Sequence, residues 1–266
     1  MEPVRTISGD VPVILAMPHG GTWLPEEVRS RLNDRGRQLT DTDWHIERLY
    51  DGLLPGASLV AAGFHRYVID ANRPPGGESL YPGQNTTGLV PLTDFDGAPI
   101  WNVPPDAPRI AQYLRDFHAP YHAALASEVA RLRRLHGVVL VWDCHSIRSQ
   151  IPFLFPGRLP DFNIGTFEGA SCDPRIAEIT LSACENARGF SVVMNGRFKG
   201  GWTTRHWGRP DQGIHAVQME LAQRCFLTGE APPFAYDVAR APRLRRALSG
   251  ILSRLCTVLP LLKVTP

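Results

Sequence analysis

The feature that most constrains this chain is the run at 137–143, GVVLVWD. A near-continuous apolar run rich in β-branched residues reads as a strand buried on both faces. Such a strand belongs to a parallel sheet with helices packed on both sides, because parallel neighbours need long crossover connections. The remaining pattern supplies both parts. Residues 12–17 (PVILAM) read as a second buried strand, closed by Pro18 and the pair Gly20-Gly21. Residues 58–62, 65–69, 190–194 and 214–220 are further strand candidates. Helical spacing is predicted over 26–33 and from Asp41 or Asp43 onward, where Ile46, Leu49, Tyr50 and Leu53 share one face. Further helices are predicted over 107–135, 174–187 and 236–255, with Pro120 expected to break or kink the first of these. The expectation is one α/β domain over 1–266. Its mostly parallel or mixed central sheet is flanked by helices, and no internal repeat or linker interrupts it.

Composition narrows the function. With 28 basic and 26 acidic residues the formal charge is +2, which gives no support for a nucleic-acid partner. No apolar run approaches the roughly 20 residues of a membrane helix, and no signal peptide is read at the N-terminus. Five cysteines, an odd number without a Cys-x-x-Cys pair, argue against a disulfide framework or a thiolate zinc site and fit a reducing cytoplasm. Gly and Pro gather around 73–108, 152–174 and 195–213, as expected of long functional loops.

Several residues carry chemistry. His19 follows the first buried strand, and in open α/β sheets ligands gather at the carboxyl ends of strands. The two glycines after it would let backbone approach a ligand; a capped turn with a solvated histidine is the plain alternative. His145, within Asp-Cys-His-Ser at 143–146, lies at a second strand end, where Asp143 can orient it. Two histidines at two strand ends suit a His-carboxylate-His zinc site. The segment 41–47 offers the carboxylate, with Asp43 preferred and Glu47 as the fallback. Asp41 and Asp43 could equally be helix caps, and His45 a ligand or a surface residue. Asn72 and Arg73 end another strand candidate and can grip a carboxylate, with Asp70 steadying Arg73 and Arg66 reaching the same site. An ordinary strand-end ion pair is the alternative. Glu220 ends the last strand candidate, as a general base or as a helix-start acid. The loop 195–206 carries Arg197, Lys199 and Arg205, either to close over an acidic substrate or as a solvated turn. Nucleophile-elbow, phosphate-loop and His-Glu-x-x-His motifs are absent. Cys144 and His145, adjacent on an extended chain, point opposite ways and cannot form a thiol pair.

Taken together, PHGG (18–21), DTDWHIERLYD (41–51), RYVIDANRPP (66–75), LYPGQNTTGL (80–89), DCHS (143–146), LPDFNIGT (159–166), NGRFKGGWTTRHWG (195–208) and HAVQMEL (215–221) resemble the N-formylglutamate amidohydrolase family along most of the chain. The resemblance implies a fold similar to zinc carboxypeptidases and succinylglutamate desuccinylases. It implies hydrolysis of N-formyl-L-glutamate to L-glutamate and formate, the last step of one histidine degradation route. By the same resemblance, zinc or another divalent ion sits on His19, Asp43 and His145, and Glu220 is the base. It also implies that Asn72 and Arg73 bind one substrate carboxylate; from the residues themselves, Arg66 is expected to stabilise the oxyanion and Arg197 or Arg205 to bind the other carboxylate. The carboxypeptidase pattern has its acid three residues after the first histidine. That position is Thr22 here, so the acid is assigned to Asp43 instead. The partner expected is a small acidic molecule, with neither nucleic acid nor membrane; the sequence sets no oligomeric state. Two other readings stay open: a deacylase or amidase for another N-acyl amino acid, and a non-catalytic binder of an acidic metabolite.

Overall fold

In the computed structural model, which describes residues 2–263, the apolar runs pair into a seven-stranded sheet. In chain order the first elements are β1 (Val4–Ile7), β2 (Val13–Met17), α1 (Glu26–Arg31), α2 (Ile46–Tyr50) and β3 (Ser58–Ala62). After a long excursion come α3 (Ala107–Tyr113), α4 (Ala119–His136) and β4 (Val139–Ile147). The chain continues through β5 (Phe162–Gly165), α5 (Pro174–Glu185), β6 (Val192–Met194), α6 (Trp202–Trp207), β7 (Ile214–Ala222) and α7 (Ala241–Val258). The spatial order is β1-β3-β2-β4-β7-β5-β6. The central four, β3-β2-β4-β7, run parallel, while β1 and β5 join them antiparallel, so the sheet is mixed.

The two-residue period of the strands divides the core into two layers. On one face Trp142 and Cys144 of β4 and Val217 and Met219 of β7 pack against Leu244, Leu248, Ile251, Leu252 and Leu255 of α7. On the other, Val139 and Val141 of β4 and Ala216 of β7 meet Tyr121, Leu125, Val129 and Leu132 of α4. Each fully buried side chain of this size contributes about 1.5–3 kcal/mol. Both faces are therefore covered, as the apolar run in β4 requires.

Four details differ from the sequence expectation. Residues 65–69 form a turn, not a strand. Tyr67, Val68 and Ile69 are all buried, so their apolar character serves packing without pairing, and the Tyr67 N–H donates to Nδ1 of His65 at 3.1 Å. The short edge strand β1, largely exposed, and the four-residue β5 lacked enough alternation to be read. Pro120 does not break its helix. A π-helical turn, Leu114–His118, joins α3 to α4 and puts Pro120 in the first turn of α4, where a missing N–H costs little. The last helix begins at Ala241, after an Asp237 side chain that accepts from the N–H groups of Ala239 and Arg240. Among the described residues no helix is long and apolar enough to cross a membrane.

This arrangement brings the carboxyl ends of β2, β4 and β7 to one edge, with His145 in direct register with Glu220. Gly20 and Gly21, which leave β2, serve packing. A Cβ on Gly21 would lie 2.5 Å from the carbonyl carbon of Gly63 and 2.5 Å from the carbonyl oxygen of Phe64. Backbone on backbone cannot yield cheaply, so Gly21→Ala is expected to destabilise the fold by about 1–3 kcal/mol, the range for overpacking. A urea midpoint lowered in proportion would register it; an unchanged midpoint would mean the turn relaxes freely.

Candidate metal centre and active site

Three side chains from separate segments converge at that edge. Nδ1 of His19 is 3.2 Å from Nδ1 of His145 and 3.9 Å from Oδ2 of Asp43, and the latter two are 3.3 Å apart. All three residues are at most 3% exposed. Ligands about 2.0–2.1 Å from a tetrahedral zinc ion stand roughly 3.3 Å from one another, so these donors fit a divalent ion in both spacing and chemistry. Asp43 reaches the site because its N–H donates to the carbonyl of His19 at 3.1 Å, and its Oδ2 also accepts from the N–H of Ser146 at 3.2 Å. It caps no helix: α2 starts only at Ile46, with His45 in its cap position.

Both histidines are held from behind. Nε2 of His19 lies 2.6 Å from Oδ1 of Asp70. Nε2 of His145 is 2.9 Å from Oδ1 of Asp143, a charge contact without hydrogen-bond alignment, and 3.0 Å from the Asn72 amide nitrogen. The carboxylate behind His19 favours the proton on its Nε2 and leaves Nδ1 bare for a ligand. Oδ2 of Asp143 is itself fixed by the Thr204 hydroxyl at 3.1 Å.

The electrostatics favour a cation among the three donors. Burial, with Arg66 nearby, lowers His19 to about 4. His145 behaves oppositely. Burial opposes its charge, yet Asp143 and Asp43 raise it well above the ordinary histidine value of 6.5. In the metal-free protein a proton thus supplies the positive charge that the acids demand. Burial pushes Glu220 up to about 8, with His145 pulling the other way and Asp43 adding to the rise. Its Oε2 accepts from the Gln218 amide at 3.2 Å.

Around these groups is a cavity with about 60 Å3 of room, lined also by Arg66, Asn72, Arg73, Arg197, Tyr81 and Gln218. Arg66 donates to Oδ2 of Asp70 at 2.7 Å. Asp70 therefore steadies His19 and Arg66, and not Arg73 as the sequence suggested. Arg73 is tied to the carbonyl and hydroxyl of Thr87, to Thr86 and to its own neighbour's carbonyl. Asn72 accepts from the Thr203 N–H at 2.8 Å. Arg197 donates to the carbonyls of Leu154 and Asn85 at the cavity wall. Arg205 is not among the lining residues. Its guanidinium sits between the rings of Tyr81 and Phe167, 5.0 and 4.7 Å from their centres, and donates to the carbonyl of Gly200.

Other sequence candidates lie elsewhere. Glu47 pairs with Arg5 at the surface. His45 bonds the carbonyl of Phe234 at 3.0 Å. Cys144 is buried in the α7-side core, where burial raises its thiol. Tyr81 and Gln218 are among the lining residues that escaped the sequence reading. Tyr81 sits in a Gly- and Pro-rich loop without periodicity. Gln218 was visible only as the neighbour of Glu220, although the two-residue period puts both on one face. Gln218 accepts from the N–H of Gly201 at 2.6 Å, tying the glycine-rich loop to Glu220.

The family model of N-formylglutamate amidohydrolase matches residues 11–227. An N-formylglutamate deformylase of Pseudomonas aeruginosa is 50% identical over 252 residues, 92% of this chain and 94% of that protein. One from Pseudomonas putida is 48% identical over the same shares. The crystal structure of an N-formylglutamate amidohydrolase from Ralstonia eutropha superposes with a TM-score of 0.81 at 24% identity, covering 97% of this chain and 98% of that one. A gene product of Agrobacterium tumefaciens superposes at 0.68 and 20% identity, covering 97% and 95%. At these identities the two structures speak for the fold.

Two measurements probe the metal centre. Asp70→Asn is expected to weaken zinc binding about 10–100-fold, the usual effect of losing a carboxylate behind a ligand histidine. Glu47→Gln should leave it within about twofold, as for any exposed ion pair. Equal losses in both would remove the distinction drawn between these acids. Zinc affinity of the wild type should also rise with pH, by about tenfold per unit while His145 still holds its proton. His19, already neutral, adds nothing to that slope. A flat profile above pH 6.5 would show that no proton leaves.

Proposed function

Because the chain belongs to the N-formylglutamate amidohydrolase family, we propose that it hydrolyses N-formyl-L-glutamate to L-glutamate and formate, using a divalent ion held by His19, Asp43 and His145. The observation that carries this reading is the meeting of three metal donors with a buried Glu220 in a cavity walled by Arg66, Arg73 and Arg197. Two nitrogens and one oxygen suit zinc, with a position left for water. The ion would supply Lewis acidity toward the formyl oxygen and the attacking water.

The chain's own residues do the rest. Asn72 and Arg73 take one substrate carboxylate and Arg197 the other, which fixes the formyl group at the metal edge. Glu220 removes a proton from water as its oxygen adds to the formyl carbon. The C–N bond then breaks, and the same proton passes from Glu220 to the departing amine. A carboxyl that titrates near neutral pH can both take a proton and return it, so the burial that raises Glu220 suits both halves of this task. Arg66, anchored by Asp70, faces the negative charge that develops on the carbonyl oxygen. Arg205 acts indirectly, by supporting Tyr81. We further read the reaction as the closing step of histidine degradation in a reducing cytoplasm, consistent with five unbridged cysteines.

The test is formate release from N-formyl-L-glutamate, before and after chelation and with zinc, cobalt or manganese restored. Metal-dependent release that exceeds hydrolysis of the acetyl and succinyl analogues is expected. Glu220→Gln should lower kcat by about 10²–10⁴ with metal content unchanged. Full activity in the chelated protein would overturn the metal's role. Stronger hydrolysis of another acyl group would reassign the substrate. Binding of glutamate without any turnover would favour a binding protein.

A further inference from the structure

The segment that carries Asn72 and Arg73 is not a strand, so no ladder of hydrogen bonds holds it. Hydrogen bonds nonetheless hold its backbone. The Asn72 N–H donates to Oδ1 of Asp70 at 2.8 Å, and the Arg73 N–H to the carbonyl of Asp70 at 3.1 Å. The Asn72 carbonyl accepts from the Trp202 N–H at 3.3 Å. The carbonyls on either side of it are taken by two histidines. Nε2 of His122 is 2.8 Å from the carbonyl of Ala71, and Nε2 of His118 is 2.9 Å from that of Arg73.

A carbonyl only accepts, so each ring must carry its proton on Nε2. The two rings lie 4.6 Å apart and one helical turn apart in sequence, on the face of the helix that meets this segment. Trp207 of α6 stacks near-parallel to His122, with ring centres 6.4 Å apart, and closes the far side. The π turn ends at His118, so the helix changes phase where the pair begins. Burial lowers both rings, His122 to about 3, and keeps them neutral beside the Arg73 backbone.

We propose that His118 and His122 are positioning residues for substrate recognition: their Nε2–H groups fix the two carbonyls that flank Asn72 and thereby aim the Asn72 and Arg73 side chains into the cavity. They touch neither substrate nor metal. The inference rests on the reading of Asn72 and Arg73 as the carboxylate-binding pair. Gln carries an amide N–H at nearly the reach of Nε2, whereas Leu fills the space without a donor.

The experiment compares His118→Leu, His118→Gln, His122→Leu and His122→Gln in the zinc-loaded full chain. With N-formyl-L-glutamate, each Leu variant is expected to raise KM about tenfold, the equivalent of one hydrogen bond. Its kcat should stay within about threefold and its zinc content unchanged, and the Gln variants should recover most of the loss. Hydrogen exchange in the peptide spanning 70–75 is followed in the same proteins and needs no substrate. Faster exchange there alone in the Leu variants, reversed by Gln, supports the brace even if the wild type proves to act on another molecule. Unchanged exchange at 70–75, or a Leu effect confined to kcat, would overturn it. A uniform loss of protection that Gln does not restore would overturn it equally, because it would mark the histidines as mere packing.

Discussion

One buried carboxylate, Asp70, ties the site together. Its Oδ1 meets Nε2 of His19 and the Asn72 N–H, while its Oδ2 takes the Arg66 guanidinium. On the proposed reading, a metal donor, an oxyanion-facing cation and the carboxylate-binding segment thus share one anchor. Burial alone would raise this acid, but Arg66 and His19 beside it hold Asp70 well below the usual carboxylate range. An ion of this kind cannot be removed in isolation. Taking away one member of a buried, paired network leaves its partners desolvated and unpaired, which costs more than the pair contributes. Asp70 therefore acts as a constraint on geometry more than as a source of stability.

The same reasoning explains why the cavity tolerates so many charges in a protein of nearly neutral balance. Asp43, Asp70, Asp143 and Glu220 crowd the metal edge, and Arg66, Arg73 and Arg197 line the walls beyond it. Arg66 stands among these acids, bonded to Asp70, so the charges interleave instead of separating. On the proposed reading the acids suit a metal cation, and Arg73 and Arg197 suit a substrate with two carboxylates.

Much of this was legible in the residues. β2, β4 and β7 announced themselves because strands buried on both faces need continuous apolar runs. Their carboxyl ends then drew attention to His19, His145 and Glu220. What the sequence hid depended on contacts between distant segments. Tyr67, Val68 and Ile69 look like a strand because burial and pairing demand the same residue types. The partner of Asp70 could not be read from spacing, since Arg73 is three residues away and His19 is 51. Arg205 resembled a substrate ligand by charge, and only the rings of Tyr81 and Phe167 reveal its other use.

The choice between Asp43 and Glu47 illustrates where such reading stops and why. If the helix began at Asp41, both acids would lie on it and either could face the histidines. It begins at Ile46, and the four residues that separate it from Asp41 change the outcome. Asp43 remains on the incoming loop, hydrogen-bonded to the carbonyl of His19, while Glu47 rides the helix out to Arg5. Thr22, where an acid three residues after His19 would stand, is exposed, and Gly21 before it is pinned against residues 62–64. A carboxylate at 22 would have to reach back past that contact. The chain brings Asp43 through space instead, across one backbone hydrogen bond, and so a His-carboxylate-His donor set forms although the spacing along the sequence differs.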